Sequence, residues 1–242
     1  MAMLKIPQNL IFVSGMHGTG KTTLIRNTMM DPKTNVGPPH IIQYTKCEMT
    51  SFKVNFERQP RRIAKYMIDF YRAIKLAVQN PKAIVITDRC YWDAYAYINA
   101  FHKLGYFTNY EFGWINHILQ VSFEPWDMTD MNVFLLHPPY EEIQKHLAVR
   151  QEKEVKWNET NERYHKAVYD EYSAIYENQP IGFYVCRESN GEKIVKIFKN
   201  YILNKWGGIT EETANEMKNY PEYFHSFLKY TGPMGLPKEE IK

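Results

Sequence analysis

The sequence lacks a long hydrophobic run, since no stretch approaches the roughly 20 apolar residues that a membrane-spanning helix needs. We therefore expect no membrane partner. Cysteine is scarce: the chain has 3 in 242 residues, without metal-ligand spacing, which predicts a reduced, cytoplasmic protein. The first nine residues contain Lys5 and Pro7 but no long apolar stretch, so no signal peptide is expected.

A strong excess of one charge is also missing. The chain carries 30 Lys and Arg against 27 Asp and Glu, a net charge of +3. A protein that binds duplex DNA usually presents a dense basic face, so nucleic acid stays an alternative partner that is not favoured. With 44% hydrophobic and 24% charged residues, and with neither repeats nor low-complexity segments, the composition is that of an ordinary globular domain.

The sequence does contain short apolar runs that alternate with helical patterns. These runs predict strands at 10–13, 41–44, 83–86, 131–136 and 183–186. Strands that alternate with helices at this spacing predict an α/β three-layer sandwich with a five-stranded parallel sheet. We predict one domain over residues 1–206, and a C-terminal helical tail over 207–242 that packs on it.

Residues 15–22, Gly-Met-His-Gly-Thr-Gly-Lys-Thr, fit the pattern GxxxxGK[ST] at every fixed position. Glycines at these positions let backbone N–H groups approach phosphate oxygens, and the following helix adds its positive end. Lys21 would contact the β and γ phosphates, while the Thr22 hydroxyl would ligate magnesium. The motif predicts ATP with Mg²⁺. Its contacts are expected from Gly15, His17, Gly18, Thr19, Gly20, Lys21, Thr22 and Thr23.

Asp88 and Arg89 directly follow the third predicted strand. In open α/β sheets, ligands bind beyond the carboxyl ends of the strands, so this pair should face the phosphate loop. Asp88 could order magnesium or accept a proton, and Arg89 could hold a phosphate through two hydrogen bonds. The alternative is structural: Asp88 would cap the next helix, and Arg89 would pair with a surface carboxylate.

Three segments together resemble the thymidylate kinase and deoxynucleoside kinase branch of the P-loop kinases: 15–24, 86–97 and 133–150. The resemblance covers about residues 8–205. It implies that Asp88 acts near magnesium and the acceptor oxygen, and that Arg89 holds the acceptor's phosphate or its reactive hydroxyl end. It also implies that Arg150 opens a helical lid over about 150–163, which closes on the triphosphate. Lys153, Lys156 and Arg163 are further lid candidates, for which a solvated helix face is the favoured alternative.

The chain also departs from this family. Thymidylate kinases carry Arg-Glu-Pro after the second strand and nucleoside kinases carry Glu-Pro, whereas this chain has Glu48 without a proline. Glu48 is either the base for a sugar hydroxyl or a simple loop carboxylate. The helix arginine that contacts thymine in thymidylate kinases has no clear counterpart, so the identity of the acceptor's nucleobase stays open. The basic cluster of Arg58, Arg61 and Arg62 could meet acceptor phosphates or nucleic acid, but an exposed loop is favoured.

The leading functional hypothesis is phosphoryl transfer from ATP to a deoxynucleoside monophosphate, as in thymidylate kinases. A second hypothesis keeps the same machinery but takes a nucleoside hydroxyl, or a hydroxymethylated base in DNA, as the acceptor. A third is an NTPase without an acceptor; the sequence has no Asn-Lys-x-Asp motif, which argues against a switch GTPase. A homodimer is left open.

Overall fold

The computed structural model describes residues 3–30, 40–42, 56–81, 84–152, 160–178 and 182–206. The strands are β1 (Leu10–Ser14), β2 (His40–Ile42), β3 (Val85–Asp88), β4 (Asn132–Leu136) and β5 (Phe183–Cys186). The helices are α1 (Lys21–Met30), α2 (Arg58–Gln79), α3 (Tyr91–Lys103), α4 (Asn109–Phe123), α5 (Tyr140–Gln151), α6 (Glu162–Glu177) and α7 (Gly191–Trp206). The predicted tail at 207–242 lies outside the described residues. None of the helices in the described ranges is both long and apolar enough to cross a membrane.

The strands form one sheet in the order β2-β3-β1-β4-β5, and every neighbouring pair is parallel. Four of them have four or five residues, while β2 is a three-residue strand at the edge. The parallel α/β sheet predicted from the apolar runs is thereby confirmed. Because all strands point the same way, their carboxyl ends meet at one edge of the sheet, where a ligand site is expected.

Two hydrophobic cores lie on opposite faces of the sheet, so the fold has three layers. Successive residues of β1 point to opposite faces: Leu10 and Phe12 belong to the larger core, and Ile11 and Val13 to the smaller one. Residues from α2 to α6 fill the larger core, and residues from α1 and α7 fill the smaller. Burial on both faces explains why β1 and β4 are largely apolar rather than alternating.

Two helices that bound the site begin at side-chain caps. At α3, the Cys90 N–H donates to Asp93 Oδ2 at 2.8 Å, the reciprocal half of a capping box. At α6, Asn161 Oδ1 accepts from the backbone N–H of Tyr164 at 3.0 Å. These caps fix where each helix starts, and therefore which of its side chains face the carboxyl edge of the sheet.

Asp69 is a buried carboxyl group near the middle of α2. The residue is 8% exposed, Arg72 Nη1 lies 3.9 Å from its Oδ1, and its Oδ2 has no hydrogen-bond partner in the described part of the chain. Burial raises the pKa of Asp69 to about 6, although Lys65 and Arg72 oppose the rise. The folded protein therefore holds this proton more tightly than the unfolded chain does.

We expect Asp69→Asn to stabilise the protein at neutral pH. A carboxyl whose pKa is raised from 3.8 to about 6 costs stability as pH rises between these values. At roughly 1.4 kcal/mol per unit, the cost approaches about 2–3 kcal/mol above pH 6. Urea unfolding should give the variant an advantage of about 2 kcal/mol at pH 7.5 that disappears near pH 4. The exposed Glu177→Gln variant is the matched control, and an advantage of equal size at both pH values would contradict the burial argument.

Candidate functional site

A glycine-rich loop joins β1 to α1 at the carboxyl edge of the sheet. Gly15 has φ +138°, and a Cβ placed there would lie 2.5 Å from the Leu136 carbonyl oxygen of β4, so only glycine fits. Gly20 has φ +88°, and a Cβ there would meet nothing within 4 Å. The loop is therefore pressed against the sheet at its first glycine and open at its last, where helix α1 begins.

Lys21 is buried under this loop. The residue is 6% exposed, and its Nζ donates to the carbonyl oxygens of Gly15 at 2.6 Å and of Met16 at 2.8 Å. Thr19 also braces the loop, because its Oγ1 donates to the Met16 oxygen at 2.9 Å. Thr22 and Thr23 follow on the exposed side of the first turn of α1. A phosphate oxygen is a stronger acceptor for an ammonium group than a neutral carbonyl, so Lys21 is placed to exchange partners.

Asp88 and Arg89 lie beside the loop, as the sequence predicted. Asp88 pairs with Val13 in the sheet, and the Arg89 N–H donates to the Val13 oxygen at 2.9 Å. Arg89 has φ +77°; in the described residues no other non-glycine has a positive φ. This left-handed turn places its guanidinium carbon 5.3 Å from the centre of the Tyr97 ring. Strained backbone of this kind costs about 1–3 kcal/mol, and such residues cluster at functional sites.

Asp93 is a central residue that the sequence analysis missed. It is fully buried, and its Oδ1 accepts from the Tyr172 hydroxyl at 2.5 Å. The same oxygen lies 3.4 Å from both Gly15 N and Arg89 Nη1, while Oδ2 accepts from Cys90 N. Asp93 thus joins the phosphate loop, the arginine and α6. Its spacing three residues after Cys90 signals a capping box, but nothing in the sequence signals the other contacts.

Helix α5 covers the outer side of the loop and carries Arg150 in its last turn. A Cβ at Gly18 would lie 2.9 Å from Leu147, and His146 Nδ1 is 3.3 Å from the Gly18 oxygen. The Arg150 charge contributes to lowering the pKa of both His17 and His165, after the larger effect of burial. Arg150 is therefore near enough to the loop for its charge to act there, and its role in a lid over the triphosphate stays a prediction.

His17 is the point on the loop where these charges converge. Its ring stacks on Tyr164 at 5.4 Å between centroids and meets His165 edge to face at 4.9 Å. Burial holds the pKa of His17 well below its usual value. His165 lowers it further when it carries a second proton, and the cations Arg89, Lys21 and Arg150 lower it throughout. The site therefore combines three side-chain cations around one loop, on three different elements of the fold.

Arg62 corrects the expectation that the basic cluster forms an exposed loop. The cluster lies in the first turns of α2, and the half-buried Arg62 has its guanidinium carbon 5.7 Å from the centre of Phe101. Burial raises the pKa of Tyr164, and the Arg62 charge opposes that rise. Arg62 therefore points towards the aromatic side chains beside the loop, whereas Arg61 is exposed. Hydrophobic spacing alone could not reveal which arginine turns inwards.

The remaining predicted residues are Glu48, Lys153, Lys156 and Arg163. Glu48, Lys153 and Lys156 lie outside the described residues, as does most of the predicted lid, and stay predictions. Arg163 is exposed in the first turn of α6, in agreement with the solvated face favoured for it.

Comparisons with known proteins agree with this architecture. Among solved structures, the chain is similar to deoxyadenosine kinase from M. mycoides with bound dATP. The two share 16% identity and a TM-score of 0.56 over 80% of this chain and 98% of that chain. A second structure of deoxyadenosine kinase from M. mycoides, with products dCMP and a flexible dCDP bound, gives 14% identity and a TM-score of 0.51 over 83% and 100%.

At these identities the likeness establishes a shared P-loop fold, and curated proteins gave no match by sequence. The family model described as the AAA domain matches residues 10–179, which include the phosphate loop, Asp88, Arg89 and Arg150. Because that match spans well over half of the chain, the protein belongs to the AAA domain family.

Proposed function

We propose that this protein is an ATP-dependent kinase that phosphorylates a deoxynucleoside at its hydroxyl. The observation that carries the proposal is the convergence of Lys21, Arg89 and Arg150 on the phosphate loop, at the carboxyl edge of a parallel sheet. Enzymes that transfer phosphoryl groups work mainly by positioning the reactants and by neutralising charge. This arrangement of cations has the charge and the position for both tasks.

On the donor side, the backbone N–H groups of the loop and of the first turn of α1 would hold the ATP phosphates. Lys21 would leave its carbonyl partners for phosphate oxygens. Magnesium fits the side chains present, because the Thr22 hydroxyl is exposed and the half-buried Asp88 ends the strand next to β1. When bound, the ion would neutralise phosphate charge, and these two oxygen-bearing side chains would hold it.

On the acceptor side, Arg89 would hold the reactive end of the nucleoside. The ion pair between Asp93 Oδ1 and Arg89 Nη1 would hold the guanidinium in its orientation before the acceptor binds. Arg150 would neutralise charge that develops on the transferred group. A lid over about 150–163 would close on the triphosphate and exclude water, which prevents simple hydrolysis of ATP. Glu48 is the proposed base for the acceptor hydroxyl.

The choice of a nucleoside is supported by the solved relatives, which are deoxyadenosine kinases. A second candidate acceptor is a deoxynucleoside monophosphate, as in thymidylate kinases. One observation favours it: Arg62 brings a third guanidinium to the aromatic side chains beside the loop. A neutral nucleoside needs less positive charge than a phosphorylated acceptor does.

We expect acceptor-dependent consumption of ATP when the protein is supplied with Mg²⁺ and a deoxynucleoside. A panel of deoxynucleosides, deoxynucleoside monophosphates, DNA with hydroxymethylated bases, and buffer alone identifies the acceptor. Turnover only with monophosphates would move the assignment to the second candidate, and turnover only with DNA to a base kinase. ATP consumption that is the same without any acceptor would contradict a kinase and indicate an NTPase. Lys21→Ala protein, purified in parallel, reports contaminating activity.

A further inference from the structure

Two histidines at the phosphate loop have buried ring nitrogens whose hydrogen-bonding capacity is unused. His17 lies in the loop and His165 in the first turn of α6, and their rings are 4.9 Å apart. The Nε2 atom of each ring is closed to solvent and has no hydrogen-bond partner among the residues that the structure describes. Buried polar atoms nearly always have partners, so two orphaned nitrogens on neighbouring rings require an explanation.

The contacts of Tyr97 are compatible with a proton on His17 Nε2. The Tyr97 hydroxyl oxygen accepts from the His17 backbone N–H at 3.3 Å and lies 3.0 Å from His17 Nδ1. The hydroxyl can donate its own proton to Nδ1, and in that arrangement the ring proton lies on Nε2. Burial holds the pKa of His17 well below its usual value, so the ring is neutral.

The same reasoning applies to His165. The side-chain amide nitrogen of Gln144 lies 3.4 Å from His165 Nδ1, and an amide nitrogen can only donate. Burial and then Arg150 lower the pKa of His165 to about 4, so this ring is also neutral near pH 7. Its proton therefore lies on Nε2. In these tautomers both Nε2 atoms are N–H donors, and neither has an acceptor in the part of the chain that the structure describes.

The surroundings offer positive charge. The cations that act on His17 are Arg89 from the β3–α3 turn, Lys21 from α1 and Arg150 from α5, while the His165 ring from α6 is itself neutral near pH 7. Tyr97 from α3 occupies Nδ1, and Tyr164 covers the ring face. A group with several acceptor atoms and negative charge would accept hydrogen bonds from both Nε2–H donors. It would also be attracted by the neighbouring cations. Because both nitrogens are closed to water in this structure, that group would have to reach them as part of a bound ligand.

We propose that His17 and His165 are paired donors to the terminal phosphoryl group of the donor nucleotide, each giving its Nε2–H to a non-bridging oxygen. This inference rests on the proposed function for the presence of a nucleoside triphosphate. Helix α6 would then take a direct part in distinguishing ATP from ADP, because it carries His165 and packs that side chain against His17. A nucleoside diphosphate, which lacks the γ-phosphate, leaves both donors unpaired.

The test compares His165→Phe, which keeps a ring but removes the donor, with His165→Gln, whose amide nitrogen can replace Nε2–H. Calorimetric titration with Mg-ATP and Mg-ADP is the measurement. We expect His165→Phe to weaken ATP binding about tenfold and ADP binding less than twofold, as the loss of one hydrogen bond to a charged group predicts. His165→Gln should stay near the wild-type ratio. Equal weakening for both nucleotides, or none for either, would overturn the proposal.

A measurement on the wild-type chain keeps the test decisive if His165→Phe does not fold. Nitrogen-detected NMR of the imidazoles should show Nε2-protonated tautomers, with Nε2–H signals that shift when a non-hydrolysable ATP analogue binds and not when ADP binds. Signals unmoved by the analogue would overturn the proposal. Neither experiment needs an acceptor, so a failure here is separate from the acceptor panel, which tests the kinase assignment by itself.

Discussion

Lys21→Ala protein should lose about a thousandfold or more of its turnover while it remains folded. The ammonium is the buried cation at the base of the loop, where its Nζ lies 2.6 Å from the Gly15 oxygen and 2.8 Å from the Met16 oxygen. Removing a preorganised donor to a developing phosphate charge costs about 10²–10³-fold in rate, and a full positive charge is lost here as well. Steady-state kinetics and circular dichroism are the measurements.

The matched control for Lys21 is Lys196→Ala on the exposed side of α7, which should turn over as the wild type does. The truncated loop should stay in place, because Gly15 remains against the Leu136 oxygen and Thr19 keeps its bond to Met16. Full activity of Lys21→Ala protein would show that the loop does not hold the phosphates, and the kinase assignment would fail with it.

Asp93→Asn should reduce both activity and stability, because Asp93 holds Arg89 in place and is fully buried. Removing one partner of a buried ion pair typically costs about 3–5 kcal/mol of folding stability. An amide at this position also directs an NH₂ group at neighbours that are themselves donors. We expect kcat/KM for the acceptor to fall about 10²-fold and KM for ATP to change less, since the arginine serves the acceptor side.

A double-mutant cycle separates positioning from simple structural support. If Asp93 acts through Arg89, the Arg89→Ala and Asp93→Asn/Arg89→Ala proteins should have similar kcat/KM. Tyr172→Phe removes the 2.5 Å hydrogen bond to Asp93 and keeps the ion pair, so its loss should be below about tenfold. An Asp93→Asn protein that is less stable but has wild-type kinetics would limit Asp93 to a structural role.

The fold could be predicted because its signals are local. The strands near the sheet centre are apolar throughout, since helices cover both faces, and each such run appears in the sequence as a separate block. The second strand was expected at 41–44; the described strand His40–Ile42 includes the first two of these residues, and 43–44 lie outside the described residues. The order β2-β3-β1-β4-β5 depends on contacts between distant segments, so no sequence pattern gave it.

The same distinction between local sequence motifs and contacts of distant segments applies to the site. The loop from Gly15 to Thr22 and the Asp88-Arg89 pair are contiguous motifs, so their position at the sheet edge followed from the strands before them. Asp93, His165 and Arg62 reach the site through tertiary packing of α3, α6 and α2. In the sequence Asp93 looks like a helix cap, and His165 looks like one more residue of an amphipathic helix. Such contacts have no periodicity that would reveal them.

The left-handed backbone of Arg89 has a consequence for how this protein could evolve. Glycine or asparagine would adopt that conformation at less cost in backbone strain, but either would leave the buried Asp93 carboxylate without its ion-pair partner. Position 89 is therefore held by the guanidinium and its partner together. A laboratory selection for heat resistance without selection for turnover would replace residues 89 and 93 as a pair rather than singly.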